Sequence, residues 1–190
     1  MGNLKYRLIF VHGFTSSSRK DWYPEISVLL DRRNVDYVVP NLPGGENPIS
    51  SEWVNIIHKE IVKSKGPVVL VGHSLGTRAI LLYLEKFPDR VEKVIFISPF
   101  TNRIGKAFSS SKEDFPDFFN HQIDVKRLKF NVGKFIVIHS TDDNSIEYLQ
   151  GKELASDLKA KLITVNGHGH FSDSSNSEFI FNILNEELHF

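Results

Sequence analysis

The 190-residue chain contains no cysteine, which excludes disulfide bonds, thiolate metal sites and a cysteine nucleophile. Any nucleophile must therefore be a serine, a threonine, a lysine or a carboxylate. Neither sign of charge is in excess, because 23 lysines and arginines balance 23 aspartates and glutamates. A chain without net charge argues against nucleic acid or an anionic membrane surface as the main partner.

Long apolar runs are also missing. The first one, Leu8 to Val11, is too short for the core of a signal peptide, and no run approaches the roughly 20 residues of a membrane span. Tyr6 stands where a myristoylation signal needs serine or threonine. We therefore expect a soluble, cytoplasmic protein, and a chain of this length to form one domain over residues 1–190.

Short runs rich in β-branched residues alternate with helical patterns along the chain. Most of these runs are continuously apolar, which is typical of strands covered on both faces. The predicted strands are 6–11, 37–41, 67–72, 91–98, 134–140 and 161–166, and the predicted helices are 52–62, 75–87, 145–160 and 176–188. The alternation predicts an α/β fold, a three-layer α/β/α sandwich with a mostly parallel six-stranded sheet.

Residues 101–133 separate two predicted strands and show no clear period. The favoured interpretation is an ordinary crossover whose aromatic side chains complete the core. The alternative is a small cap over a site at the strand ends, with the phenylalanines as an apolar cover. The phenylalanines concerned are Phe108, Phe115, Phe118 and Phe119, and a serine run occupies 109–111.

A predicted strand runs directly into the sequence GHSLG, residues 72–76, and a predicted helix follows. A sharp strand-to-helix turn strains the backbone of its serine and leaves room only for glycine two residues before and two after it. Gly72 and Gly76 occupy those positions. The pattern predicts that Ser74 is a nucleophile above the sheet edge, and that the N–H of Leu75 faces a developing negative charge.

The alternative for this pentapeptide is a glycine-rich turn whose serine only caps a helix. A serine nucleophile also needs an oxyanion hole, a general base and a carboxylate that orients the base. The first predicted strand ends in VHGF, where a second oxyanion donor can form, here the N–H of Phe14. We expect His12 to brace this loop by hydrogen bonds and not to be the base.

Acidic and imidazole side chains follow the last two predicted strands. The sequence STDDNSI comes after one strand and NGHGHF after the other, which gives the chain order serine, acid, histidine. Both stretches lie at the carboxyl edge of the predicted sheet, where sites form in open α/β folds. The candidate acids are Asp142 and Asp143, and the candidate bases are His168 and His170.

The two histidines also form a His-x-His pair, which can bind a metal ion. Metal-dependent hydrolases of the β-lactamase type use H-x-H-x-D-H, whereas here Ser172 stands in place of the aspartate and no third histidine follows. We therefore predict no metal site and no cofactor.

Several stretches resemble the α/β-hydrolase superfamily, most closely its small branch that contains YdeN and retinoblastoma-binding protein 9. The resemblance covers essentially the whole chain and implies a parallel sheet of order 2-1-3-4-5-6. It places the family's serine, aspartate and histidine on Ser74, Asp143 and His170. Asp143 is favoured because the family's acid lies four residues after a histidine, here His139. The matching stretches are 12–26, 47–54, 71–77, 139–146 and 169–171.

This resemblance implies a cofactor-independent serine hydrolase that cleaves an ester- or amide-type bond of a small acyl substrate. Ser140 and Asn144 depart from the glycine and proline that the family usually has. With Asp143 as the acid, Asp142 is expected to hold its loop as a turn residue, and His168 to face solvent. The alternative is a binding or scaffolding module with little turnover, because a fold alone does not guarantee activity.

Overall fold

The structure, a computed structural model, describes residues 6–101 and 115–190. Six strands of these residues form one sheet in the order β2-β1-β3-β4-β5-β6. Every neighbouring pair is parallel, as the resemblance implied. The strands are β1 (Arg7–Val11), β2 (Asp36–Val38), β3 (Val68–His73), β4 (Val91–Ile97), β5 (Val132–Ser140) and β6 (Lys161–Val165).

Helices cover both faces of the sheet, which confirms the three-layer prediction. Helices α2, α3 and α5 pack on one face, while α1 and α6 pack on the other. None of the helices in the described residues is long and apolar enough to cross a membrane. The helices are α1 (Tyr23–Arg32), α2 (Ser50–Val62), α3 (Leu75–Lys86), α4 (Val125–Leu128), α5 (Tyr148–Leu158) and α6 (Ser177–Leu188).

The continuously apolar strands divide their side chains between two cores. In β1, Leu8 and Phe10 belong to the core under α1 and α6, whereas Ile9 and Val11 belong to the core under α2, α3 and α5. Successive side chains of a strand point to opposite faces, so both faces need apolar residues when both are covered. This requirement explains why these strands do not alternate between apolar and polar residues.

Helix α1 is absent from the sequence-based prediction. Its buried residues Tyr23, Ile26 and Leu30 follow helical spacing, and Pro24 lies in its first turn, where proline fits a helix. The pattern is short and follows a polar loop, and the prediction overlooked it. The helix matters to the site because it closes the face of the sheet below the loop that follows β1.

The favoured interpretation, that aromatic side chains of residues 101–133 complete the core, is confirmed for Phe118 and Phe119, and the alternative that these two rings cover a site is wrong. Phe118 is fully buried against Trp53, with the ring centroids 5.3 Å apart, and Phe119 is also a core residue. Their side chains complete the core above α2 and α3. Residues 102–114, which include Phe108, lie outside the described residues, so a cap formed by them stays a prediction.

Candidate active site

The chain turns sharply between β3 and α3 at one residue. Ser74 has φ 52° and ψ −124°, a conformation that costs a non-glycine residue about 1–3 kcal/mol. Its N–H donates to the carbonyl of Ile97 on β4 at 3.1 Å. Its carbonyl accepts from the N–H of Thr77 at 2.9 Å and from the Thr77 hydroxyl at 2.6 Å. Hydrogen bonds therefore hold both the N–H and the carbonyl of the strained residue. The side chain of Ser74 lines a pocket.

The two glycines of the pentapeptide are required by close packing. A Cβ on Gly76 would lie 2.1 Å from the carbonyl oxygen of Val11, a distance that no real side chain adopts. A Cβ on Gly72 would lie 2.8 Å from the Ile80 side chain and 3.1 Å from the backbone of Thr77. The prediction that only glycine fits is confirmed at Gly76, while at Gly72 a side chain would press on the movable end of Ile80 and lie tightly against the backbone of Thr77.

The loop after β1 is held by a buried histidine. The Nδ1–H of His12 donates to the carbonyl of Gly13 at 2.9 Å, and its Nε2 accepts from the N–H of Leu42 at 3.1 Å. Burial lowers the pKa of His12, which fits a neutral ring with one donor and one acceptor. The bracing role predicted for His12 is confirmed. A Cβ on Gly13 would lie 3.0 Å from that of Ser74, so this loop closely approaches the strained serine.

The backbone N–H groups of Phe14 and Leu75, beside Ser74, make no hydrogen bond within residues 6–101 and 115–190. Leu75 is the first residue of α3, where helical N–H groups lack intrahelical partners. Phe14 lines the same pocket as Ser74. Unpaired N–H groups at a helix N-terminus and in a neighbouring loop can bind an anionic oxygen.

An imidazole and a carboxylate meet at the carboxyl edge of the sheet. The Nδ1–H of His170 lies 2.9 Å from one carboxylate oxygen of Asp143 and 3.1 Å from the other. The Asp143 side chain is fully enclosed, while that of His170 is 16% exposed. The other donors to the carboxylate are the Ser98 hydroxyl at 2.7 Å and the N–H groups of Ser145 and Ile146 at 2.9 Å. Nε2 of His139 donates to the carbonyl of Ile146 at 2.9 Å and also lies 3.3 Å from the carboxylate.

These contacts keep the carboxyl group of Asp143 ionised. Burial by itself raises the pKa of the Asp143 carboxyl, but the hydrogen bonds from His139 and His170 outweigh it. The resulting pKa lies far below the ordinary value for aspartate. Asp143 is therefore an ionised carboxylate that fixes the proton of His170 on Nδ1. Nε2 of His170 is left free to accept a proton.

Ser74 and His170 line one open pocket of about 270 Å³. Among the described residues the ring of His170 is hydrogen-bonded to Asp143 alone, so no bond to the Ser74 hydroxyl is formed. Contacts of this kind often tighten only when a substrate binds. The rest of the wall is mostly polar and contains Phe14, Thr15, Ser16, Lys20, Asp21 and Ser172.

The second aspartate binds backbone and not imidazole. Asp142 is exposed, and its Oδ1 accepts from the N–H groups of Gly167 at 2.9 Å and Gly169 at 3.3 Å. The hydroxyl of Ser140 also donates to it and is the main cause of its lowered pKa. Asp142 therefore ties the loop after β5 to the loop after β6, as its predicted role in holding the loop requires.

The prediction that His168 faces solvent is wrong. Its Nδ1–H donates to the side-chain oxygen of Asn176 at 2.8 Å. Its ring stacks on Phe171 with centroids 5.3 Å apart and on Phe179 with centroids 4.1 Å apart. Phe171 is fully buried and has φ 55°, so the chain turns there and directs His168 onto α6. His168 is a packing residue of this loop.

The histidine pair does not converge on one point. His168 donates to Asn176, and His170 donates to Asp143. No group of three or more histidine, cysteine, aspartate or glutamate side chains in the described ranges is arranged to hold a metal ion. The geometry around these two rings is that of separate hydrogen bonds.

Three buried residues of the site were assigned no role from the sequence: His73, Ser98 and His139, the last of which served only to locate the acid. They lie at or next to the carboxyl ends of β3, β4 and β5, which are neighbouring strands. The position gives a usable signal, because polar residues at this edge of a parallel sheet face the site. Ser98 and His139 contact Asp143, and His73 contacts the main chain of His170.

Known proteins resemble this chain in sequence. The family model described as serine hydrolase matches residues 8–179. YdeN of Bacillus subtilis is 28% identical over 167 residues, which cover 87% of this chain and 85% of YdeN. The serine hydrolase RBBP9 of Rattus norvegicus is 26% identical over 140 residues, covering 74% of this chain and 72% of RBBP9.

Solved structures share the fold. The crystal structure of the Bacillus subtilis ydeN product has a TM-score of 0.84 and 24% identity, covering 98% of this chain and 100% of that chain. Est1E from Butyrivibrio proteoclasticus has a TM-score of 0.74 and 17% identity, covering 100% of this chain and 88% of the Est1E chain. The family match spans most of the sequence and the fold agrees with it. The chain therefore belongs to the serine hydrolase family and is an α/β-hydrolase enzyme of the branch that contains YdeN and RBBP9.

Proposed function

We propose that this hydrolase cleaves an ester- or amide-type bond of a small acyl substrate through an acyl-enzyme on Ser74. The contact between His170 and the buried carboxylate of Asp143, beside a strained serine, is the observation that carries the proposal. It supplies a nucleophile, a base and an orienting acid in the chain order of this fold. The reaction needs no metal or cofactor.

The first step transfers a proton and forms a bond. The hydroxyl of Ser74 attacks the carbonyl carbon while Nε2 of His170 takes its proton. Asp143 stabilises the imidazolium and keeps its own charge. The carbonyl oxygen becomes an oxyanion, which accepts hydrogen bonds from the N–H groups of Phe14 and Leu75.

The later steps reverse the proton transfer and release the products. The imidazolium of His170 donates its proton to the leaving oxygen or nitrogen as that bond breaks, which leaves an acyl group on Ser74. A water then gives a proton to His170 and attacks the acyl carbonyl. The second tetrahedral intermediate collapses, the carboxylic acid departs, and Ser74 regains its proton from His170.

Several hydrogen bonds hold the Asp143 carboxylate in one orientation. The carboxylate accepts from the Ser98 hydroxyl and from two backbone N–H groups besides His170. A carboxylate with this many donors is stabilised in its charged form and cannot rotate freely. This supports Asp143 as the residue that fixes the His170 tautomer during the reaction.

Covalent labelling tests the proposal. A fluorophosphonate probe should react with the folded protein at one site, and mass mapping should place the adduct on Ser74. Treatment with a chelator should not change the labelling rate. If the folded protein does not react, the acyl-enzyme proposal is wrong and the binding-module alternative gains support.

A further inference from the structure

The residue directly before Ser74 is a buried histidine that the proposed mechanism does not use. His73 is 3% exposed, and its Nε2 lies 2.8 Å from the main-chain carbonyl of His170. A carbonyl oxygen only accepts hydrogen bonds, so Nε2 of His73 carries the proton and donates. The side chain next to the nucleophile is thus bonded to the main chain of the base.

The ring of His73 stays uncharged under the conditions in which a serine hydrolase works. Burial, assisted by the neighbouring His170, lowers the pKa of His73 to about 3. Nδ1 has no hydrogen-bond partner among the described residues, which fits a neutral ring with its proton on Nε2. A charge at this place would oppose the imidazolium of His170, since the two ring centroids lie only 5.0 Å apart.

The main chain of His170 needs such a restraint. Its neighbours Gly169 and Phe171 both have positive φ, at 52° and 55°, so the base lies between two left-handed residues. No backbone N–H in the described part of the chain donates to the His170 carbonyl. The hydrogen bond from His73 therefore fixes this carbonyl, and it does so from the residue adjacent to Ser74.

His73 also touches the loop that carries the predicted oxyanion donor. A Cβ on Gly13 would lie 3.5 Å from Nδ1 of His73, so the ring borders this loop as well. Trp22 packs its ring against the other side, with the ring centroids 6.2 Å apart. One side chain is thus in contact with the serine turn, the oxyanion loop and the base loop.

We propose that His73 is a positioning residue, whose Nε2–H holds the main chain of His170 at the distance from Ser74 that proton transfer needs. The inference rests on the proposed function of Ser74 and His170. A residue that only fills space would require a ring or chain of similar size, whereas this role requires a donor at one place. The two explanations therefore predict different outcomes for substitutions that differ only in that donor.

The variants His73→Gln and His73→Met form this matched pair. Glutamine can place an N–H where Nε2 lies, and methionine has similar length without a donor. The burst phase of p-nitrophenyl ester hydrolysis gives both the acylation rate constant and the substrate dissociation constant. We expect the methionine variant to lose about 10²-fold in acylation rate, because small misplacements of a base are that costly. The dissociation constant should change by much less than the rate.

The glutamine variant should acylate at least about three times faster than the methionine variant, a factor that one hydrogen bond can account for. Equal rates in the two variants, with thermal midpoints matched, would overturn the proposal. A loss that appears only in the dissociation constant would overturn it too. If the wild-type protein does not form an acyl-enzyme, the proposed function itself is wrong. If it does, and the two His73 variants have equal acylation rate constants, only the proposed role of His73 is wrong.

A measurement on the unaltered protein remains decisive if a variant does not fold. Nitrogen-15 shifts of the His73 ring should show the neutral Nε2–H tautomer between about pH 5 and about pH 9, as a pKa far below that range requires. A charged ring, or a proton on Nδ1, would contradict the donated hydrogen bond and overturn the proposal.

Discussion

Nδ1 of His170 lies 2.9 Å from an oxygen of Asp143, a carboxylate whose side chain is fully enclosed. The neighbouring Asp142 is exposed and accepts hydrogen bonds from backbone instead. Two adjacent acids thus serve two loops in different ways. Substitutions can test this difference, because the Asp143 carboxylate contacts the proposed base and the Asp142 carboxylate contacts the main chain around it.

Replacing each acid by asparagine should separate the two roles. Asp143→Asn should lower kcat/KM by about 10³-fold or more, because the imidazolium loses its counter-charge and the tautomer is no longer fixed. Asp142→Asn should keep most of the activity and lower the thermal midpoint, because Gly167 and Gly169 lose a charged acceptor. Steady-state kinetics and thermal melts of both variants measure this. A larger loss of activity for Asp142→Asn would reverse the assignment.

Alanine substitutions should distinguish the roles of His168 and His170 in the same way. His170→Ala should lose about 10²–10⁴-fold in kcat/KM, the usual contribution of a general base. His168→Ala should mainly lower the free energy of unfolding, by about 1–3 kcal/mol, because it removes ring stacking and a hydrogen bond to Asn176. Urea titration and kcat/KM, measured on both, give the comparison. A folded His168 variant without activity would contradict it.

Phe115 contacts the aromatic residue Phe14, which lines the pocket of Ser74. Its ring lies 4.8 Å from that of Phe14, which is 37% exposed and carries the proposed oxyanion donor. Phe115→Ala should change the preference among p-nitrophenyl esters of different acyl length. Phe118→Ala is the control: it should destabilise the fold by about 3–5 kcal/mol, because that ring is in the core. An unchanged length profile in the Phe115 variant would place the acyl chain elsewhere.

The low pKa of His73 has a consequence for stability. The folded protein holds this ring neutral down to about pH 3, whereas the unfolded chain protonates it near its ordinary value of 6.5. Between these values the unfolded state binds more protons, so the free energy of unfolding falls as the pH falls, by up to about 1.4 kcal/mol per pH unit. Asp143 adds to the slope only below about pH 5, where its carboxyl begins to be protonated in the unfolded chain but stays ionised in the folded protein.

His73→Gln should therefore flatten the dependence of unfolding free energy on pH, by nearly one proton between about pH 6 and about pH 4. His12, whose pKa is also lowered by burial, contributes in the same direction but remains in both proteins. Urea titrations at several pH values measure the slope. Parallel curves for the variant and the wild type would mean that His73 is not held neutral.

The strand-to-helix turn could be predicted from the sequence because its residues form one short contiguous pattern. The reason Gly76 must lack a side chain is a contact with the neighbouring strand, since a Cβ there would lie 2.1 Å from the carbonyl oxygen of Val11 at the end of β1. The strands could be predicted because both faces of the sheet are covered, which requires apolar residues at successive positions. The alternation of strands and helices predicted a mostly parallel sheet, whereas the strand order 2-1-3-4-5-6 followed from the resemblance.

What the sequence did not predict depends on distant partners. His168 packs against Phe179 of α6, and no periodicity in its own loop indicates this contact. Asp142 and Asp143 have the same chemistry and differ only in what lies around them. Ser98 contacts Asp143 from a neighbouring strand, 45 positions earlier in the chain, so only the register of the sheet brings them together.

The proposed nucleophile Ser74 is tested most directly by kcat/KM of Ser74→Ala with a short p-nitrophenyl ester. The matched control is Ser172→Ala, since that serine lines the same pocket. We expect Ser74→Ala to lose about 10³-fold or more in kcat/KM, with an unchanged or higher thermal midpoint, while Ser172→Ala keeps most of the activity. Undiminished turnover by a folded Ser74→Ala protein would mean that Ser74 is not the nucleophile.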